Sequence, residues 1–372
     1  MKVGMSIFMQ NTNNKWTDYD VYQNDLKLAD LAEPLGFDSI WSVEHHFTPY
    51  TMVPDVLQFL TYMAGRTSKI ELGSMVVVLP WHDPVRVAEQ IAMLDNLSKG
   101  RIVIGFGRGA ATVEYNGFRV AMEESRERFV EAAEVVHKAL ANERFAHNGK
   151  YFQIPEMSIR PRPHSHPEKR LYGAAVSPDT AERMAKLGLG VLIAIPLYGW
   201  EAQAKDVQRH QQILREQGHQ PVPPISSSFV FCAETEKEAQ EGARQWMGGY
   251  WGSADAHYKF SDGHLKNVKG YEHYGTIADA AKTTTPEQSV DGFIRLQVAG
   301  TPAQCLEQIY TMQDLVELNH FIAVFSYGGM PHDVADRNLR LFASEVMPKL
   351  QRQERKVMPV TTSSSVAQRQ AK

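Results

Sequence analysis

Apolar residues along the chain fall into two alternating patterns. Short runs rich in β-branched and aromatic residues occupy positions 3–9, 38–43, 70–79, 101–105, 170–175, 190–195, 225–232 and 320–325. Each reads as a buried strand. Between them, apolar residues recur every three to four positions over 20–35, 53–66, 84–97, 122–141, 178–187, 199–216, 236–247 and 302–318, the spacing of amphipathic helices. Alternation of this kind predicts an α/β protein with a parallel sheet and right-handed crossovers. Eight strands and eight helices favour a closed (β/α)8 TIM barrel over an open doubly wound sheet.

Helix starts are well marked. Asp83-Pro84, Ser177-Pro178 and Thr301-Pro302 each place a capping side chain before a proline, and Gln304 completes a capping box. Two stretches break the alternation. Residues 142–167, an insertion after the fourth helix, contain Asn148-Gly149 ahead of Tyr151-Phe152-Gln153-Ile154, predicting a turn and a short extra strand. Residues 248–289, after the seventh helix, show no sustained period but carry Tyr250, Trp251, Tyr258, Tyr271 and Tyr274. So long an irregular segment in a compact domain is usually functional, and a mobile lid is expected there. The polar stretch 351–372 reads as a disordered tail, leaving residues 1–350 as one barrel domain.

Composition narrows the partners. The chain has 372 residues, of which 43% are hydrophobic and 22% charged, as in ordinary globular proteins. A net charge of -4 argues against nucleic acid or an anionic membrane. Cys232 and Cys305 are too few for a disulfide framework and fit a reducing cytoplasm. The first residues read as a strand rather than a signal peptide, and no apolar run nears the ~20 residues of a membrane helix.

The chemistry concentrates after the second strand, at Glu44-His45-His46. Barrel enzymes place their reactive groups at such strand ends. The three groups could be hydrogen-bonded bystanders, metal ligands, or an acid/base histidine with a supporting neighbour. Adjacent strand residues point to opposite faces, so His45 and His46 would chelate poorly and no metal is expected. The acid/base reading is preferred, with His45 catalytic and His46 beside it. Gly105-Phe106-Gly107-Arg108-Gly109-Ala110 matches G-x-G-x-x-A, but it lies outside a first βα unit and runs into a loop-like stretch at 112–117. It is read as backbone that a ligand can approach, with Arg108 available to an anion. The helix start Ser177-Pro178-Asp179-Thr180 would suit a phosphate, though the same residues begin many helices. Arg126 could add countercharge or simply sit on the surface. Trp81 and His82 lie on the face of His45 and are pocket candidates.

Five segments resemble the bacterial luciferase family of flavin-dependent monooxygenases, in its α-subunit branch. They are Trp41-Ser42-Val43-Glu44-His45-His46-Phe47-Thr48, Leu72–Pro80, Leu94–Arg101, Gly107-Arg108-Gly109 and Met122–Arg126. The resemblance implies a (β/α)8 barrel binding reduced FMN at its C-terminal face. It places His45 on the catalytic histidine and Glu44 and His46 beside it. It puts Arg108, Arg126, Ser177 and Thr180 at the flavin phosphate, Glu114 near the flavin, and a non-proline cis peptide at Met75–Val76 beneath the ring. Gly107 and Val176 fall on neighbouring cofactor positions. Asp83 stands where luciferase has histidine, and Val176 where it has an acidic residue. Some members use the deazaflavin F420 instead.

By that resemblance, the expected activity is an FMNH2-dependent monooxygenase working through a C4a-(hydro)peroxyflavin on a hydrophobic aldehyde, ketone or terpenoid. A separate flavin reductase would be its partner, and the chain would form a homodimer. Phe8, Trp81, Phe106 and Tyr250, with His46 and His82, are expected to line the pocket. An F420-dependent dehydrogenase and a non-catalytic flavin-binding subunit are the alternatives.

Overall fold

A computed structural model describes residues 1–174, 178–196 and 199–353, with only the backbone of residues 178–181. Eight parallel strands form its centre: β1 Lys2–Ile7, β2 Ser39–Ser42, β3 Glu71–Val78, β4 Ile102–Gly107, β5 Leu171–Ala174, β6 Gly190–Ile193, β7 Ile225–Cys232 and β8 His320–Val324. Each pairs with the next, and Lys2 opposite His320 brings β8 back to β1. The sheet is therefore a closed TIM barrel. Every strand lies within two residues of its expected place.

The alternation of side chains sorts the core into two layers. Trp41, Met75, Val103, Leu192, Ile225 and Ile322 fill the barrel. Residues of the opposite parity, including Val3, Met5, Ile40, Leu72, Ile102 and Ile104, pack outward against the helices. Trp41 needs unusual room, and a Cβ at Gly73 would lie 2.2 Å from its indole. Glycine there lets one large side chain plug the barrel.

Three features depart from expectation. The alternation is not strict: helices Glu236–Gly242 and Pro302–Val316 both fall between β7 and β8. The outer layer is completed by His332–Glu345, whose buried Ala335, Asn338, Leu339, Phe342 and Ala343 carry a clear helical period. Second, residues 112–117 are not a loop: Thr112–Phe118 is a helix, short enough that its period is barely expressed. Third, the segment 248–289 is largely helical. It contains Gly248–Tyr258 and Gly275–Ala281, linked by 3-10 turns, and ends in the start of Pro286–Ile294. The insertion after the fourth helix holds an antiparallel hairpin, Phe145–Asn148 with Gln153–Met157. A short strand, Val298–Gly300, pairs beside β7. Residues 354–372, expected as a tail, lie outside the described residues. Among the described residues no helix is long and apolar enough to cross a membrane.

Candidate active site

A mostly apolar cavity of about 1330 Å³, counting its open mouth, lies at the C-terminal ends of the strands. The Met75–Val76 peptide, which is cis, lies on its wall. Phe8, Glu44, His45, Gly107, Arg108 and Tyr250 also line it. Helix Gly248–Tyr258 closes one side with Tyr250, Trp251, Ala254 and Tyr258. These positions follow i, i+1, i+4, i+8, so one face of that helix is directed at the cavity.

Two buried carboxylates organise the polar end. Glu114, fully buried on the Thr112–Phe118 helix, presents one oxygen to two hydrogen-bonding nitrogens and has a third nitrogen at ion-pair distance. The backbone N–H of His46 donates to Glu114 Oε1 at 2.8 Å, His45 Nδ1 lies 3.0 Å from it, and His257 Nε2 lies 3.4 Å from it. Burial alone would push this carboxyl up. The charge of His45, with hydrogen bonds from His257 and His45, instead holds it at about 2. Because a carboxylate only accepts, His45 carries its proton on Nδ1 towards Glu114. The other ring nitrogen, Nε2, faces the Tyr258 hydroxyl at 3.2 Å. His257 is fixed from behind by Thr48 Oγ1, 2.7 Å from Nδ1. Burial pushes the His257 imidazole down, towards its neutral form.

Glu44 gathers the second group. Its Oε1 lies 3.1 Å from His46 Nε2 and 2.7 Å from His82 Nε2, and its Oε2 accepts from the Val78 N–H at 2.8 Å. Burial opposes the charge, but these donors keep the carboxyl below its usual range. Burial also opposes a proton on His82, yet Glu44 raises that imidazole. The second strand is thereby tied to the end of the third.

Arg108, on the cavity wall, converges with Arg126, which is absent from the lining, on one backbone carbonyl. Arg108 Nη1 donates to the Gly270 carbonyl at 2.7 Å and Arg126 Nη2 to the same oxygen at 3.3 Å. The Arg108 guanidinium also stacks 3.8 Å above the Tyr271 ring. Burial and these two cations push nearby His273 down to about 4. Val176 and Ser177 lie outside the described residues, as does the Thr180 side chain.

Several expected pocket residues sit elsewhere. Phe106 has the outward parity of β4 and is fully buried against the helices, since Gly105 and Gly107 face the barrel. Trp81 stacks on Phe118 and packs against Tyr115 and His46, behind the wall rather than on it. His46 and His82 are turned onto Glu44 and are absent from the lining. Gly107 and Gly109 both lie on the cavity wall. A Cβ at Gly107 would meet Val76 at 2.2 Å, and one at Gly109 would meet Trp81 at 2.7 Å, so packing within the chain also requires glycine there. His257 was not anticipated from sequence, and Tyr258 was named only among the aromatics of the 248–289 segment.

By spacing, His45, Glu114 and His257 are the one described group that could hold a metal ion, their ligand atoms lying within 4.8 Å of one another. A proton between His45 Nδ1 and Glu114 already accounts for the closest approach.

The luciferase-like monooxygenase family model matches residues 1–316. The alkanal monooxygenase alpha chain of Photorhabdus luminescens is 25% identical over 338 residues, covering 88% of this chain and 91% of the relative. A monooxygenase from Streptomyces bottropensis superposes with a TM-score of 0.76 at 27% identity, covering 94% of this chain and 99% of the other. The oxygenating constituent of 3,6-diketocamphane monooxygenase from Pseudomonas putida, solved with FMN, gives 0.72 at 20% identity, with 94% and 99% covered. With the family model spanning most of its length, the chain belongs to the luciferase-like monooxygenase family.

Proposed function

We propose that the protein is a flavin-dependent monooxygenase that takes reduced FMN and O2 and oxygenates a hydrophobic aldehyde, ketone or terpenoid. The observation that carries this is the cavity. An apolar chamber is lined by His45, which is paired to the buried Glu114, and by Arg108, which shares the Gly270 carbonyl with Arg126 behind it. The residues fit FMN. Two guanidinium groups converging on one oxygen suit a phosphate, which accepts charge-assisted bonds from both. Met75, Val76, Gly107 and the wall around Phe8 and Tyr250 offer an apolar bed for a ring system. When bound, reduced flavin supplies the electrons that allow one oxygen atom of O2 to enter the substrate.

The chain's own residues do the rest. Arg108 and Arg126 anchor the phosphate. The aromatic wall keeps water from the reacting centre. His45, oriented by Glu114, holds and moves the proton. The Gly105–Ala110 stretch closes the fourth strand and leads to the short Thr112–Phe118 helix, outside the first βα unit where a dinucleotide fingerprint sits. A separate reductase is therefore proposed to deliver the reduced flavin. Tyr62, Met93 and Leu97, each about half exposed on the adjacent helices Val56–Arg66 and Pro84–Ser98, suit a homodimer face. The two buried free thiols, Cys232 and Cys305, suit a reducing cytoplasm.

Single-turnover oxygenation with pre-reduced FMN tests the reading, using a panel of aldehydes, ketones and terpenes, with reduced F420 as a second arm. Wild type should form oxygenated product with FMN. His45→Ala should lose 10²–10⁴ in rate while keeping flavin affinity. Turnover with F420 and no O2 consumption would replace this reading with a dehydrogenase.

A further inference from the structure

Both ring nitrogens of His45 are already engaged. Nδ1 faces Glu114 Oε1 at 3.0 Å, and Nε2 faces the Tyr258 hydroxyl at 3.2 Å. His45 and Tyr258 line the cavity side by side. With Nδ1 turned to Glu114, the nitrogen left for exchange is Nε2, and a proton leaving it meets the Tyr258 oxygen first. We infer that Tyr258 is a catalytic residue, the hydroxyl through which His45 exchanges its proton with the reacting oxygen. The inference rests on the monooxygenase reading above and adds a group to its site.

The chemistry balances without a further reagent. In the acid direction His45 begins with a proton on each nitrogen. The Tyr258 O–H bond breaks as its proton moves to the acceptor in the cavity. The His45 Nε2–H bond breaks as that proton moves to the Tyr258 oxygen. The phenol is restored, His45 becomes neutral with its remaining proton on Nδ1, and Glu114 stays a carboxylate. The base direction is the reverse.

Surroundings support a relay rather than a free phenolate. Burial, reinforced by the Glu114 charge and by Tyr250 and Tyr274, pushes the Tyr258 hydroxyl well above the ordinary tyrosine range. It stays protonated unless a partner refills it, and His45 is placed to do so. Tyr258 is held in position by its neighbours: its ring stacks 4.8 Å from Phe260 and meets the edges of Tyr50 and His257. The hydroxyl of Tyr50, whose ring meets that of Tyr258, bonds to the Tyr250 hydroxyl. One helix thus brings Tyr258 to Nε2 and its neighbour His257 to the carboxylate on Nδ1.

Tyr258→Phe removes the hydroxyl and keeps the ring. FMN affinity should stay within twofold of wild type. Single-turnover oxygenation should slow at least tenfold, with more peroxide released per flavin oxidised. A second measurement does not depend on turnover. Diethyl pyrocarbonate acylates imidazole nitrogens, and peptide mapping reads its rate at His45. Freeing Nε2 in Tyr258→Phe should accelerate labelling several-fold. Oxygenation by Tyr258→Phe at the wild-type rate overturns the assignment, and so does unchanged labelling at His45. If wild type makes no product with any substrate, the monooxygenase reading falls and takes the catalytic role with it. Accelerated labelling would then still show that Tyr258 caps His45.

Discussion

Replacing Glu114 by glutamine keeps size and shape but removes the charge on which His45, His257 and the His46 N–H converge. The ordinary value for this carboxyl is 4.5, and the fold holds it at about 2. At about 1.4 kcal/mol per pH unit, this corresponds to about 3 kcal/mol of stability at neutral pH. The group is depressed, so its contribution is complete above the ordinary value and is lost as pH falls through the folded one. Glutamine can still accept from the His46 N–H, so Glu114→Gln should cost about 1.5–3 kcal/mol at pH 7. For a chain of this length the unfolding entropy is about 0.7 kcal/mol/K, which makes the expected drop in Tm about 2–4 °C. By pH 3.5 about 1.4 kcal/mol of the wild-type advantage should be gone. Scanning calorimetry of both proteins at pH 7, 5 and 3.5 measures the gap directly. A variant as stable as wild type at pH 7, or a gap unchanged at pH 3.5, would refute the claim that Glu114 is an ionised hub.

Arg108→Ala should weaken FMN binding at least tenfold, from the loss of one charge-assisted contact of about 1.5–3 kcal/mol; riboflavin affinity, measured by fluorescence quenching, should not change. Equal losses for FMN and riboflavin would remove Arg108 from the phosphate. Limited proteolysis should cut first within 248–289, and bound FMN should slow that cut. Early cleavage elsewhere, indifferent to flavin, would count against a lid.

The barrel was legible because strands buried on both sides are short unbroken apolar runs, and the helices between them carry a period. His45 was legible for the same reason: it follows a strand whose end is easily seen. Glu114 was assigned to the flavin by resemblance, whereas its helix was taken for loop because seven residues scarcely express a period. His257 and Tyr258 come from more than two hundred residues away, and nothing near His45 points to them. A signal did exist: Tyr250, Ala254, His257 and Tyr258 repeat at helical spacing. It was masked by glycines and by aromatics around the rest of the segment. Phe106 could have been placed by parity alone, because alternate glycines on β4 mark the face that must leave room.

The Gly270 carbonyl gives the buffer a role in the enzyme's behaviour. It draws both Arg108 and Arg126, and a side chain on Gly270 would press on Arg108 at 2.9 Å. Residues 248–289 thus supply their own stand-in for an anion. On the proposed reading, an arriving phosphate would compete with that oxygen for the same N–H donors, which would link anion binding to the seating of residue 270. Sulfate or inorganic phosphate in a storage solution would draw on the same linkage. Flavin affinities measured in phosphate and in a zwitterionic buffer should therefore differ, and the ratio reports how firmly the chain holds its own carbonyl in that place.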